Sequence, residues 1–159
     1  MTRTATLAVS VLMALVAGCG FHLQGSVPIA GDLQRLTLQV TDSQSDFVNA
    51  MQRNLRSAGV DVAPSSETVL VIERDELLER VASVSARNLP REYELTYAVQ
   101  FSVKVRGELR VASERVTVTR NFSFDERLAL AKEREREQLR ATLAEEAAGI
   151  VLQRLSSLR

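Results

Sequence analysis

The chain reads as an α+β domain: one twisted mixed sheet of about four strands with two helices packed on one face. Three observations carry that reading. Leu95, Tyr97, Val99, Phe101, Val103 and Val105 alternate with Glu94, Thr96, Ala98, Gln100, Ser102 and Lys104, the period of a strand with one buried face. Phe47, Val48, Met51, Leu55 and Ala58 fall on one helical stripe. Leu139, Leu143, Ala147, Ile150, Val151 and Leu155 form a second, on a much longer helix.

In chain order, Arg35 to Thr41 alternates, with Leu36, Leu38 and Val40 on one face, and is a half-buried strand. The first helix follows. Ser45 or Asp46 can cap it, and Gly59 stands where a helix ends in a left-handed residue. "VDVAPSS" is then a turn into the next strand, which starts with the β-branched run Thr68 to Glu73. The continuation, "RDELLERVASVSA", has good helix formers, with Leu77, Leu78, Val81 and Val84 at helical spacing. Local propensity therefore favours helix there, with a long interrupted strand as the competing reading. After the clear strand of residues 94–105, "LRVASERVTVTRNFSF" stays β but its apolar phase shifts between Val111 and Val116. That shift requires a bulge or turn near Ala112-Ser113, with Gly107 as the other turn candidate. Glu133 to Glu137 makes a charged, solvated turn of the final helix.

The N-terminus has a different logic. Arg3 is the only charge ahead of an apolar run from Ala5 to Ala17, too short for a membrane span of about 20 residues. A basic start, a short apolar centre and small residues before a break describe a secretory signal peptide, residues 1–18. Val16-Ala17-Gly18-Cys19 resembles the lipobox of bacterial lipoproteins. The resemblance implies diacylglyceryl attachment at Cys19, cleavage before it and acylation of the new N-terminus. Several acyl chains, at about 0.8 kcal/mol per buried methylene, hold a protein on a membrane essentially permanently. Gly20 rather than an aspartate after the cysteine implies, by the same resemblance, onward transport to the outer membrane. Residues 19–34 then serve as a lipidated tether and residues 35–159 as the domain.

Composition narrows the chemistry. Twenty basic and twenty acidic residues cancel, and with no Trp, five Phe and two Tyr the chain has neither the charge nor the stacking surface for nucleic acid. Cys19 and His22 are the only cysteine and histidine. An acylated Cys19 is neither nucleophile nor metal ligand, and His22 alone cannot complete a zinc site. The carboxylates of "RDELLER" and "EREREQ" stand among as many arginines and read as surface pairing. No phosphate-cradling glycine loop or nucleophile elbow is present. These observations exclude an enzyme reading and imply no cofactor and no metal. They leave binding or assembly, in which a broad one-sided sheet takes an amphiphile or docks on another protein.

Several short blocks coincide with one family. Cys19-Gly20-Phe21-His22-Leu23 resembles the opening of mature LptE-family LPS-assembly lipoproteins. "REYEL" (residues 91–95), Leu128-Ala129-Leu130-Ala131-Lys132 and the terminal "LQRLSSL" are similar to further blocks of that family, in the same order. The resemblance implies a lipid-anchored outer-membrane protein that plugs the lumen of the large β-barrel LptD and helps deliver lipopolysaccharide to the outer leaflet. It implies two helices on a four-stranded sheet, and with that an extended course for residues 69–85 against local propensity. It also implies lipopolysaccharide contact through basic residues: Lys132 matches directly, Arg87 matches with one gap, and Arg91 and Arg120 are further candidates. Arginine and lysine suit lipid A phosphates through charge-assisted hydrogen bonds, although any one of them can equally be a solvated surface charge. The alternative is an outer-membrane lipoprotein that binds another amphiphile or a peptide and has no barrel partner.

Overall fold

A computed structural model describes residues 31–158. Cys19, His22 and the signal segment lie outside the described residues. After a short 3-10 turn at Gly31–Leu33, the order is β1 (Arg35–Gln39), α1 (Asp46–Ser57), β2 (Asp61–Val62), β3 (Thr68–Val84), β4 (Pro90–Val105), β5 (Glu108–Ser123), a 3-10 turn (Glu126–Leu128) and α2 (Ala129–Ser156). The sheet has five strands in the order β2-β1-β3-β4-β5. The strand beyond the expected four is the two-residue β2, parallel to β1 through Arg35↔Asp61 and Leu36↔Val62. Nothing but its place beside β1 makes those residues a strand, so alternation could not reveal them.

β1 joins β3 in parallel along Thr37–Gln39 only, whereas β3, β4 and β5 run antiparallel over nearly their whole lengths. β3 is extended throughout its 17 residues, as the family resemblance implied and local propensity did not. The reason is pairing: Leu77 faces Tyr97, Val81 faces Tyr93 and Glu79 faces Leu95. Ladder bonds to a strongly β-forming neighbour override a helix preference of a few tenths of a kcal/mol per residue.

Both turn candidates near the fifth strand are used. Arg106 (φ 53°) and Gly107 (φ 84°) form a two-residue hairpin with both central residues left-handed. Ala112 and Ser113 together oppose Ser102, because Phe101 pairs with Glu114 and Val103 with Val111. That bulge absorbs the phase shift, so Val111, Val116, Val118 and Phe122 all point into the core.

The helices cover one face. Ser45 caps α1 by accepting a hydrogen bond from the Val48 N–H (3.0 Å), and Gly59 (φ 78°) follows its end. Phe47, Val48, Met51 and Leu55 from α1 meet Leu143, Ala147, Val151 and Leu155 from α2 over Leu95, Val99, Phe101 and Val103 of β4. The buried stripe of α2 includes Ala144 and Ala148 but not Ile150, which is 39% exposed. Ile150 lies one residue, about 100°, to the side of Val151, and the stripe runs through the small alanines instead. Those alanines let α2 approach closely. Among the described residues, the core cluster runs from Leu33 to Leu155, with Leu158 packed against it.

Candidate functional site: the basic, aromatic end of the sheet

The β3–β4 turn and the β5–α2 connection meet at one end of the molecule. Residues 85–89 are a tight turn in which Asn88 is left-handed (φ 59°). The Asn88 N–H donates to the Ser85 carbonyl (2.9 Å) and the Ser85 N–H to the Leu89 carbonyl (2.8 Å). The Ser85 hydroxyl accepts from the Arg87 and Leu89 N–H groups (3.3 and 3.2 Å). Arg87 is thus carried on a fixed tip. Beyond β5 the Phe124 N–H donates to the Arg91 carbonyl (2.7 Å), tying the two connections together.

Between them lies a depression of about 650 Å³ lined by Arg87, Leu89, Arg91, Phe124, Asp125 and Arg127, among others. Asp125 caps the following turn through the Arg127 N–H (3.0 Å). Its carboxylate also takes the Arg127 guanidinium at Nε (3.1 Å) and Nη2 (2.8 Å). Hydrogen bonding to Arg127 holds the Asp125 carboxyl below the usual aspartate range. Among the described residues, Arg87 and Arg91 hold no carboxylate. The same end exposes Leu89 (43%), Leu128 (55%) and Leu130 (83%).

A second, smaller pocket of about 200 Å³ shares Phe124 and is lined by Tyr93, Phe122, Lys132 and Arg136 with Glu79 and Glu133. Tyr93 stacks on Phe122 (centroids 5.5 Å apart, 19° between planes) and meets Phe124 edge-on (5.6 Å, 87°). Lys132 stands in the first turn of α2, its side chain only 16% exposed, and its ammonium donates to Glu135 (2.7 Å) and Ser123 (3.2 Å). Arg136 bridges Glu79 (3.3 Å) and Glu133.

The structure therefore gathers Arg87 and Arg91 in one depression and puts Lys132 in the adjoining pocket. Arg120 stands apart: it faces the helical layer and pairs with Glu146 of α2 (2.7 Å). Arg127 and the three rings were not singled out in the sequence. The "NFSFDER" run, with two aromatics on one face of a strand end beside a cation, is the signal that could have found them.

The opposite face of the sheet is polar and internally paired. Thr96 and Thr119 are hydrogen-bonded (3.0 Å), Arg80 forms a two-point pair with Glu94, and Glu76 takes Arg74 and Arg115. The bulged Glu73 accepts from Ser113, which lowers its carboxyl below the usual glutamate range. Among the described residues, no group of three or more His, Cys, Asp or Glu side chains could hold a metal ion, and no helix is long and apolar enough to cross a membrane.

A two-layer domain whose charges are mostly spent on one another, with two cations that hold no carboxylate among the described residues and open hydrophobic surface at one end, belongs to the binding and assembly class. The family comparison makes it particular: the family model LptE, described as lipopolysaccharide-assembly, matches residues 33–155. The chain belongs to the LptE family, which is not a family of enzymes. It is 28% identical over 161 aligned positions to the LPS-assembly lipoprotein LptE of Pectobacterium atrosepticum, covering 98% of this chain and 86% of that protein. It is 30% identical to that of Yersinia pestis, covering 96% of this chain and 75% of the relative. The crystal structure of rare lipoprotein B from Shewanella oneidensis superposes with a TM-score of 0.70 at 29% identity, covering 77% of this chain and 94% of that one. A solution structure of lipoprotein B from Nitrosomonas europaea shares the fold, with a TM-score of 0.73 at 21% identity.

Proposed function

We propose that this protein is an outer-membrane lipoprotein, acylated at Cys19, that sits in the lumen of an LptD-type β-barrel and helps pass lipopolysaccharide to the outer leaflet. The observation that carries the reading is the family match across nearly the whole domain. Two features of the fold support it. A plug in an aqueous lumen needs surface that is polar and mixed in charge, and the open sheet face has that character. A contact for lipid A phosphates is served best by cations without internal partners; among the described residues Arg87 and Arg91 hold no carboxylate, and the paired Lys132 and Arg127 stand beside them. Arg120 has the weakest claim, since it lines neither space and pairs with Glu146 along the helical layer.

Isolation of the lipidated protein from membranes tests the partner. A large barrel co-purifies with it, and its absence would overturn the plug reading. Charge reversal tests the headgroup contact. Lys132→Glu together with Arg87→Glu weakens lipopolysaccharide binding by the soluble domain about tenfold or more, in keeping with the loss of charge-assisted hydrogen bonds worth ~1.5–3 kcal/mol each. Unchanged binding would remove these residues from the site.

A further inference from the structure

We propose that β5 is a self-association edge. Two copies of the domain pair antiparallel through their β5 strands, with Thr117 on the two-fold axis and the Ile150 side chains meeting beside it. The inference goes beyond the proposed function, since it concerns a second copy of this chain and a different edge of the molecule. β5 is the last strand of the sheet, and among the described residues it pairs only with β4. Its outer row of backbone N–H and C=O groups can therefore template another strand.

An edge alone does not choose its partner; the flanking side chains do. Glu114, Val116, Val118 and Arg120 stand on the helical side of β5, opposite the buried Phe101, Val99, Tyr97 and Leu95. Above them α2 packs on both β4 and β5. Its Glu146 holds Arg120 (2.7 Å) and its Arg154 holds Glu114 (3.0 Å). Residues 146, 150 and 154 are four apart and form one helical stripe. Ile150 therefore stands between the two ion pairs, level with Thr117, on the flank that follows the β5 edge. The other flank of α2 is taken, because Glu145 pairs with Arg53 of α1 (2.7 Å). Ile150 is left 39% exposed. A two-fold axis perpendicular to the sheet keeps both helical layers on one side, so residues that oppose one another must share a face. Centred on Thr117, that axis sets Glu114 opposite Arg120 of the second copy, twice over, and Val116 opposite Val118. Centred on Val116 or Val118 instead, it would set Glu114 against Val118 or Phe122 and lose both charge pairs. The same axis runs α2 antiparallel to its copy, so Ile150 meets Ile150 and Glu146 faces Arg154 at each end. With strands about 4.8 Å apart and α2 over the last two of them, the helix axes come about 10 Å apart, an ordinary packing distance. Strand edge and helix flank are thus self-complementary under one operator. A second copy explains that symmetry of charge, and an unrelated strand does not.

The test uses the domain from Gly31 onward. It contains the core cluster of the described residues and matches nearly the whole of the crystallised Shewanella chain. It lacks Cys19, the only cysteine. Sedimentation equilibrium of this domain shows a reversible monomer–dimer equilibrium. Glu114→Arg and Arg120→Glu each set like charges opposite one another twice and weaken the dimer by about tenfold or more. An equimolar mixture of the two restores it, because each strand then meets its complement, and restoration also shows that both variants fold. Ile150→Glu, at an exposed position, weakens the dimer while the circular dichroism spectrum stays that of the wild type. Thr117→Cys cross-links into a covalent dimer under mild oxidation with diamide, since opposed Cα atoms lie about 5 Å apart. Thr119→Cys does not, because its two thiols stand four residues, or about 13 Å, apart along the strands. A folded domain that stays monomeric at millimolar concentration would overturn the proposal. So would a dimer that neither charge variant weakens, a mixture that fails to restore it, or equal cross-linking at positions 117 and 119.

Discussion

Tyr97 joins the two layers through one hydroxyl. It accepts a hydrogen bond from the Phe47 N–H at the start of α1 (3.3 Å), and the Asp75 carboxylate on β3 lies beside it. Asp75 in turn accepts from the Ser45 hydroxyl, which also caps α1. Burial, followed by the hydrogen bond to Asp75, pushes the Tyr97 phenol well above the usual tyrosine range. Because the folded state raises this pKa, its contribution is fully present below pH ~10 and is lost as pH rises through the folded value. In an alkaline titration followed at the phenolate absorbance, Tyr97 therefore stays un-ionised past the pH at which a free phenol titrates, and Tyr97→Phe removes that late step. A Tyr97-dependent step already complete at pH ~10 would contradict the burial account. Tyr97→Phe also leaves the Phe47 N–H without its partner, at a cost of about 1–3 kcal/mol in denaturant unfolding. None of this network was visible in the sequence. Ser45 announced itself as a cap, but Asp75 and Tyr97 are 30 and 52 positions away from it, and only the fold brings them together.

At the level of elements, the legible features were those with a period. The alternation of β4 and the stripe of α1 reappear in the structure, and the broken phase of β5 becomes the Ala112-Ser113 bulge. Deleting Ala112 is expected to be tolerated. Ser113 alone then opposes Ser102 in a regular ladder, and Val111, Val116, Val118 and Phe122 all keep their inward side. Loss of the folded state in chemical unfolding of that variant would contradict this account of the bulge. α2 makes a second prediction. Ala147 is fully buried where the two helices meet, so Ala147→Leu overpacks the contact and costs about 1–3 kcal/mol in chemical unfolding. β3 was harder to read because its two faces differ along its length. Leu77 and Val81 face the helical layer and Leu78 the open side, which mimics helical spacing. β1 borders β3 only as far as Val71, so among the described residues the outer half of β3 has an open edge. The bulged Glu73 and the charged Arg74 and Arg80 along it are the usual guards against unwanted strand pairing.

For the whole molecule, the candidate site was legible as a list of cations but not as a place. Lys132, Arg87 and Arg91 were separable from other arginines only by resemblance. Sequence gives each charge the same weight, and whether it is spent on a neighbour depends on pairings such as Arg120 with Glu146, 26 residues apart. Arg127 and the ring cluster became candidates once the two connections were seen to close on one another.

β3 starts at Thr68, whose hydroxyl donates to the Asp32 carbonyl where the described chain begins (2.6 Å), and ends at the Arg87 turn. Its 17 residues, at ~3.3 Å each, span roughly 55 Å. The strand is therefore a strut longer than the ~30 Å hydrocarbon layer of a bilayer. The chain enters the domain at the foot of this strut, and the basic, aromatic end is its head. Held upright beside or within a membrane, such a strut keeps its two ends at different depths.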